Sequence, residues 1–241
     1  VYIYFIKAGL KKNLLILFIS LMSLYAAAQK LPAGEVLEQL DSLAQSNGPG
    51  RCFAELYVET TIEIEKQRAE MDSLSIVQIS RLEKNFSGYF INACKKLAET
   101  NDTAEIWKAY FKSSGSSDLK RKLLGINAHI NGDLWQALRD SYSKGEIKMA
   151  GRTVFLFHRS LLKIYNDLYT EAKLENKTIR TLHTVSLGLT KGYGRHLLKK
   201  WRKRQIRIAT RYYFNETAFQ RLKNKTEKKK TMIDKLIDKR L

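Results

Sequence analysis

Apolar residues recur along this chain at helical spacing, and no alternating stretch is longer than a few residues. Between Leu31 and Ala44 they stand at positions 36, 37, 40, 43 and 44, which predicts a short amphipathic helix. Ser46-Asn47-Gly48-Pro49-Gly50 breaks it. A second helix is expected from about Cys52 to Met71, with Phe53, Leu56, Tyr57, Thr60 and Ile64 along one face. Asp72 or Ser73 can cap a third, apolar at 74, 76, 77, 79, 82 and 86, which continues or restarts from Tyr89 to Leu97. Asp102 to Phe111 reads as a short helix, and the serines around Gly115 as a loop. A helix capped by Asp118 runs to about Ser143, and another covers about Arg152 to Leu174. Thr178 to Thr190 is ambiguous, because Thr, Val and Leu dominate it. Gly188, Gly192 and Gly194 mark a turn before a basic amphipathic helix from Arg195 to about Tyr213, with Leu197, Trp201, Ile208 and Tyr212 on one face. Arg221 to Leu241 is a Lys-rich helix or frayed tail. The expected fold is all-α, a single multi-helix, bundle-like domain.

Charge divides the chain. The net charge is +19, of which residues 195–241 carry +13, so the middle is close to neutral. At the other end, Lys11-Lys12, the apolar run Leu14 to Leu24, and Ala26-Ala27-Ala28 before Gln29 have the order of a cleaved signal peptide. The expected organisation is therefore a signal peptide over 1–28, a helical domain over 29–220 and a basic tail or helix over 221–241. The protein is expected to be exported, to a periplasm or beyond the cell. In that compartment Cys52 and Cys94 can pair, or remain as two buried thiols.

One segment carries distinctive chemistry: Asn127-Ala128-His129-Ile130-Asn131-Gly132-Asp133-Leu134. On a helix at about 100° per residue, Leu123, Leu124, Ile126, Ile130, Leu134 and Leu138 form a broad apolar stripe. Asn127 falls near its centre, with Asn131 one turn on, while His129 and Asp133 form a second pair on the other flank. A buried amide demands a hydrogen-bond partner, in the protein or in a ligand. His129 and Asp133 suit an imidazole oriented by a carboxylate, an acid/base dyad, or two metal ligands. They equally suit a structural hydrogen bond, with Gly132 allowing close helix packing. A metal would need one of His158, His183 and His196 or a distant carboxylate. Motifs of the H-E-x-x-H, G-x-S-x-G, Walker A and C-x-x-C kinds are absent from the sequence.

The stretch Leu124 to Leu134 resembles the G-x-N-A-H-I-N-x-D-L signature of a bacterial domain-of-unknown-function family. Phe53-x-x-x-Tyr57-x-x-Thr60, Phe86 to Ala93 and Trp107-x-x-x-Phe111 are similar to flanking parts of that family, and Arg195 and Trp201 match a late helix more loosely. The resemblance implies an all-helical bacterial protein and brings in Tyr57 and Thr60 as wall residues of a site. It implies no activity and no cofactor.

Two functional readings follow. In the first, the protein binds or transforms a small molecule. His129 is then a general base or ligand, Asp133 its orienter, and Asn127 and Asn131 hydrogen-bond donors to the bound molecule. In the second, the protein is a non-enzymatic envelope protein whose motif is structural and whose basic C-terminus adsorbs to anionic surfaces. Export makes nucleic acid an unsuitable partner despite the positive charge.

Overall fold

The computed structural model describes residues 32–186 and 189–241, and these residues are mainly helical, joined by short turns, with no strand among them. The proposed signal peptide, residues 1–28, lies outside the described residues. The helices are α1 (Pro32–Gln45), α2 (Arg51–Arg68), α3 (Ser73–Thr100), α4 (Lys108–Lys112), α5 (Asp118–Ala128), α6 (Leu134–Ser141), α7 (Ala150–Glu175), α8 (Lys177–Val185), α9 (Leu189–Phe214) and α10 (Glu216–Arg240). Two 3₁₀ turns, Glu105–Trp107 and Ile147–Met149, lead into α4 and α7.

Local chemistry sets these boundaries. Asp72 caps α3 by accepting a 2.8 Å hydrogen bond from the Ser75 amide. At its far end Asn101 adopts a left-handed conformation, φ 53°, and closes the helix on the Leu97 carbonyl. Ser117, rather than the expected Asp118, caps α5. Of the stretch Thr178 to Thr190, ambiguous by composition, residues up to Val185 lie in α8, and Leu189 and Thr190 begin α9. Gly192 and Gly194, expected in a turn before a helix from Arg195, lie inside α9, while Gly188 lies outside the described residues.

The helix expected from Asp118 to Ser143 is interrupted. His129–Asp133 forms a π-helical turn between α5 and α6, in which the Leu134 amide donates to the His129 carbonyl five residues back. Such widened turns recur at functional positions in helices. This one sits at the centre of the fold, against α3, α9 and α10. Gly132 makes close packing feasible: a β-carbon there would overlap the Ile106 side chain.

Two expectations about the C-terminal third need correction. The boundary at 220/221 falls inside α10, a helix capped by Asn215, whose Oδ1 accepts a 2.8 Å bond from the Ala218 amide. Of the two alternatives for residues 221–241, helix or tail, the helix holds, but it is docked rather than solvated: Thr226, Lys230 and Asp234 are buried along one face, while Leu222 and Ile237 pack against the core. On α9 the buried face is Leu198, Arg202, Gln205, Ile208 and Ala209, whereas Tyr212 is exposed. Simple hydrophobicity misplaces this face because Arg202 and Gln205 are inside it.

A chain ending at residue 220 would strip Asn127 of its partners on α10 and uncover the apolar face beneath. A buried donor left unpaired costs about 1–3 kcal/mol before any apolar exposure is counted. Thermal unfolding followed by circular dichroism is expected to show a markedly lower midpoint for that truncation than for the full chain.

Candidate functional site

The four polar residues of the central motif all point inward. Asn127, His129, Asn131 and Asp133 are each 4% exposed or less. A straight helix would leave one polar pair at the edge of the buried stripe. Here the turn is widened and neighbouring helices pack on both flanks, so both pairs end up inside.

Asp133 and His129 form one unit. The His129 Nδ1 lies 3.0 Å from Asp133 Oδ2, and the same oxygen accepts a 3.0 Å bond from the Trp107 indole N–H. Phe86 stacks on the imidazole with ring centres 3.5 Å apart and planes 11° from parallel. Tyr57 and Phe53 meet it edge-on at 4.9 and 5.5 Å. Among the described residues, His129 Nε2 and the Tyr57 hydroxyl have no hydrogen-bond partner.

Burial governs the charge of this unit. Desolvation holds His129 well below the usual imidazole range, so the ring is neutral near pH 7. Desolvation also pushes the Asp133 carboxyl well above its usual range, opposed by the Trp107 bond and by the positive charge of Lys230. Tyr57 is raised by burial and by the carboxylates of Glu83 and Asp133.

Asn127 and Asn131 are tied to the protein itself. Asn127 Nδ2 donates to the Lys230 carbonyl at 3.0 Å and to Asp234 Oδ1 at 2.8 Å, which uses both of its N–H groups. Its Oδ1 accepts from Asn131 Nδ2 at 2.8 Å. The Asn131 carbonyl accepts from Gln205 Nε2 at 3.3 Å. On α10, Lys230 and Asp234 pair at 2.8 Å, and Lys230 also reaches the Ile106 carbonyl. The expectation that Asn127 needs a buried partner is met by α10, and this leaves Asn127 no N–H to offer a ligand.

Beside the motif lies a cavity of about 620 Å³ lined by residues of α2, α3, α5, the π-helical turn, α7, α9 and α10. Its wall is mainly aliphatic and aromatic, with Leu56, Ile126, Phe157 and Leu161 among its residues. His129, Tyr57, Thr60 and Asn127 belong to the same wall, whereas Asn131 and Asp133 do not. Thr60 donates its hydroxyl to the Leu56 carbonyl at 2.8 Å, so it presents little unsatisfied polarity.

The remaining candidates do not join the motif. His158 contacts Arg202, and burial together with Arg202 and Lys199 lowers its pKa to about 4. His183 bonds the Tyr169 hydroxyl at 3.1 Å, and His196 is exposed. Among the described residues, no three His, Cys, Asp or Glu side chains converge as a metal site. Cys52 and Cys94 are separate buried thiols rather than a disulfide. Cys52 donates to the Asp118 carbonyl at 3.4 Å, and desolvation raises the two thiols to about 11 and about 12.

Sequence reasoning missed Trp107, Phe86, Lys230, Asp234 and Gln205 as partners of the motif. One signal was present: an acid and a lysine four apart, Lys230 and Asp234, in a segment otherwise short of acids. The ring contacts had no comparable signal, since Phe86 and Trp107 read as ordinary core positions.

The profile of a family of unknown function (DUF5995) matches residues 33–239, and the chain belongs to that family. The match spans both the central motif and the last helix. No curated protein and no solved structure matches the chain.

Two outcomes test this account of the motif. Trp107→Phe removes the indole donor from buried Asp133 and is expected to cost about 1–3 kcal/mol in urea unfolding. His129→Phe tests the buried neutral ring. Below about pH 6.5 the unfolded chain takes up a proton that native His129, with its depressed pKa, does not. Stability from His129 is therefore present above 6.5 and is lost as pH falls toward the native value. Asp133 titrates in the opposite sense but is common to both proteins. The destabilisation caused by His129→Phe is thus expected to shrink between about pH 7.5 and about pH 5.

Proposed function

We propose that this member of a family of unknown function binds a small, largely apolar molecule in the cavity beside its central motif, with His129 and Tyr57 as the polar groups of the wall. The observation that carries the reading is the cavity itself. Its volume of about 620 Å³ lies within the range of about 300–1,000 Å³ typical of ligand sites. Its composition, an apolar wall with a few polar groups, is the usual one for such sites. Among the buried polar atoms without a partner, two belong to residues of this wall, His129 Nε2 and the Tyr57 hydroxyl, and they support it further. A buried polar atom without a partner costs about 1–3 kcal/mol, and a ligand oxygen or nitrogen would recover part of that cost. Both atoms are covered by protein, so a ligand meets them only after a small side-chain movement.

Within this reading the motif divides its labour. Asn127 and Asn131 hold α5 to α10 and α9, and Asp133 holds the imidazole through Nδ1. His129 is left as a neutral ring with Nε2 uncommitted, which suits it to accept a hydrogen bond from a bound molecule. The structural role expected for the amides and the binding role expected for the histidine therefore coexist.

The test is binding of N-phenyl-1-naphthylamine, a neutral apolar dye whose emission rises in dry surroundings. Saturable binding by the wild type is expected. Leu161→Trp, which fills the cavity, is expected to abolish it while the circular dichroism spectrum is retained. Absence of saturable binding by the wild type, or full binding by a folded Leu161→Trp protein, would sink the reading.

A further inference from the structure

The cavity has a polar mouth that the central motif does not explain. Lys200 and Arg204, one turn apart on α9, and Lys229 on α10 all contribute to its lining. Lys200 is exposed, while Arg204 and Lys229 are half-buried. Tyr193, Met232 and Leu236 line the same cavity and are more than half exposed, so the cavity opens to solvent on the α9–α10 side.

These three cations lack counter-charge. Among the described residues, none of them forms an ion pair or a side-chain hydrogen bond. The acids of α10 that could serve are committed elsewhere: Glu227 to Lys223 at 3.6 Å, Asp234 to Lys230 at 2.8 Å and Asp238 to Lys120 at 2.8 Å. The cations instead repel one another. Lys229 is held below its usual pKa first by Arg204, then by burial, Lys225 and Lys200. Arg204 is lowered by burial and by Arg207. A solvated basic face would spread such charges apart. Here they gather around the opening of an apolar chamber, with a planar guanidinium among them that suits a carboxylate or phosphate.

We propose that the ligand is a single-chain amphiphile whose aliphatic chain fills the cavity and whose anionic head group rests on Lys200, Arg204 and Lys229. The inference rests on the cavity being a binding site and adds the chemical class of what it holds. Charge complementarity selects the head group: an anion relieves the repulsion among the three cations, whereas a neutral or cationic head does not. The aliphatic part follows from the wall, where Ile126, Phe157, Leu161 and Ile164 offer contact area and few polar partners. An anion placed at the mouth keeps part of its hydration, which avoids the large cost of burying a charge in an apolar interior.

The experiment is displacement of bound N-phenyl-1-naphthylamine by dodecanoate, dodecyl phosphate and 1-dodecanol, each kept below its aggregation threshold. Both anions are expected to bind at least about tenfold more tightly than the alcohol, a ratio within reach of one charge-assisted contact. Arg204→Gln and Lys200→Glu should each cut that preference severalfold. Lys203→Glu, the same charge reversal at an exposed neighbour that does not line the cavity, should leave it intact. If the alcohol displaces the dye as well as the anions do, the head-group inference is overturned while the apolar site stands. If the dye itself never binds, the site fails first. Co-sedimentation with anionic phospholipid vesicles supplies the last arm. Protein that sediments with vesicles yet takes up neither anion in monomeric form would assign these cations to a membrane surface and overturn the proposal.

Discussion

The fold turns on the need to satisfy four polar side chains buried at its centre. Asn127, His129, Asn131 and Asp133 lie on a π-helical turn and its approach, deep among other helices. Buried polar groups are tolerable only when hydrogen-bonded. Most of those bonds come from within the motif and from neighbouring elements: Trp107 reaches Asp133, the α10 backbone and Asp234 reach Asn127, Asn131 Nδ2 donates to Asn127, and Gln205 reaches the Asn131 backbone carbonyl. The bonds from neighbouring elements tie different pieces of chain to the same short segment. The motif acts as a hub, and the order of helices around it follows from which of them can offer a donor or acceptor.

This explains why a helix as polar as α10 belongs to the domain. It has few apolar residues to bury, so packing alone would hold it weakly. Phe219, Leu222 and Ile237 pack on the core, and polar contacts add to them. Thr226, Lys230 and Asp234 recur every fourth residue along the inward face, Lys230 and Asp234 pair, and Lys120 binds Asp238 at the far end. The family match extending to residue 239 agrees with a last helix that is integral to the domain. The same arrangement leaves the other basic residues of α9 and α10 with few acids to meet, and three of them collect where the cavity opens.

The cavity is the complement of that hub. Where α5 meets α10 the contact is polar and closed. On the side facing α2, α7 and α9 it is apolar and open in the middle. His129 stands between these regimes, with Nδ1 committed to the polar network and its ring set among aromatic side chains beside the cavity.

Much was legible from residue order. Period-3.6 patterning located most helices, because burial of one face writes itself into the spacing of apolar residues. The requirement that Asn127 have a buried partner, and that His129 and Asp133 form an i,i+4 pair, also followed from the sequence, since both are local consequences of helical geometry. Three things did not follow from it. The π turn is a one-residue widening of the helix, and Gly132 within it packs too close to Ile106 to carry a β-carbon. The pairing of Asn127 with Asp234 joins positions 107 residues apart. The cavity with its cationic mouth is formed by six helices and the π turn, which no local pattern brings together. Sequence by itself determined the helices, the family and the residues that must be satisfied. Only the tertiary structure decided what satisfies them, because hydrogen bonds and cavities depend on distances in space that spacing along the chain does not encode.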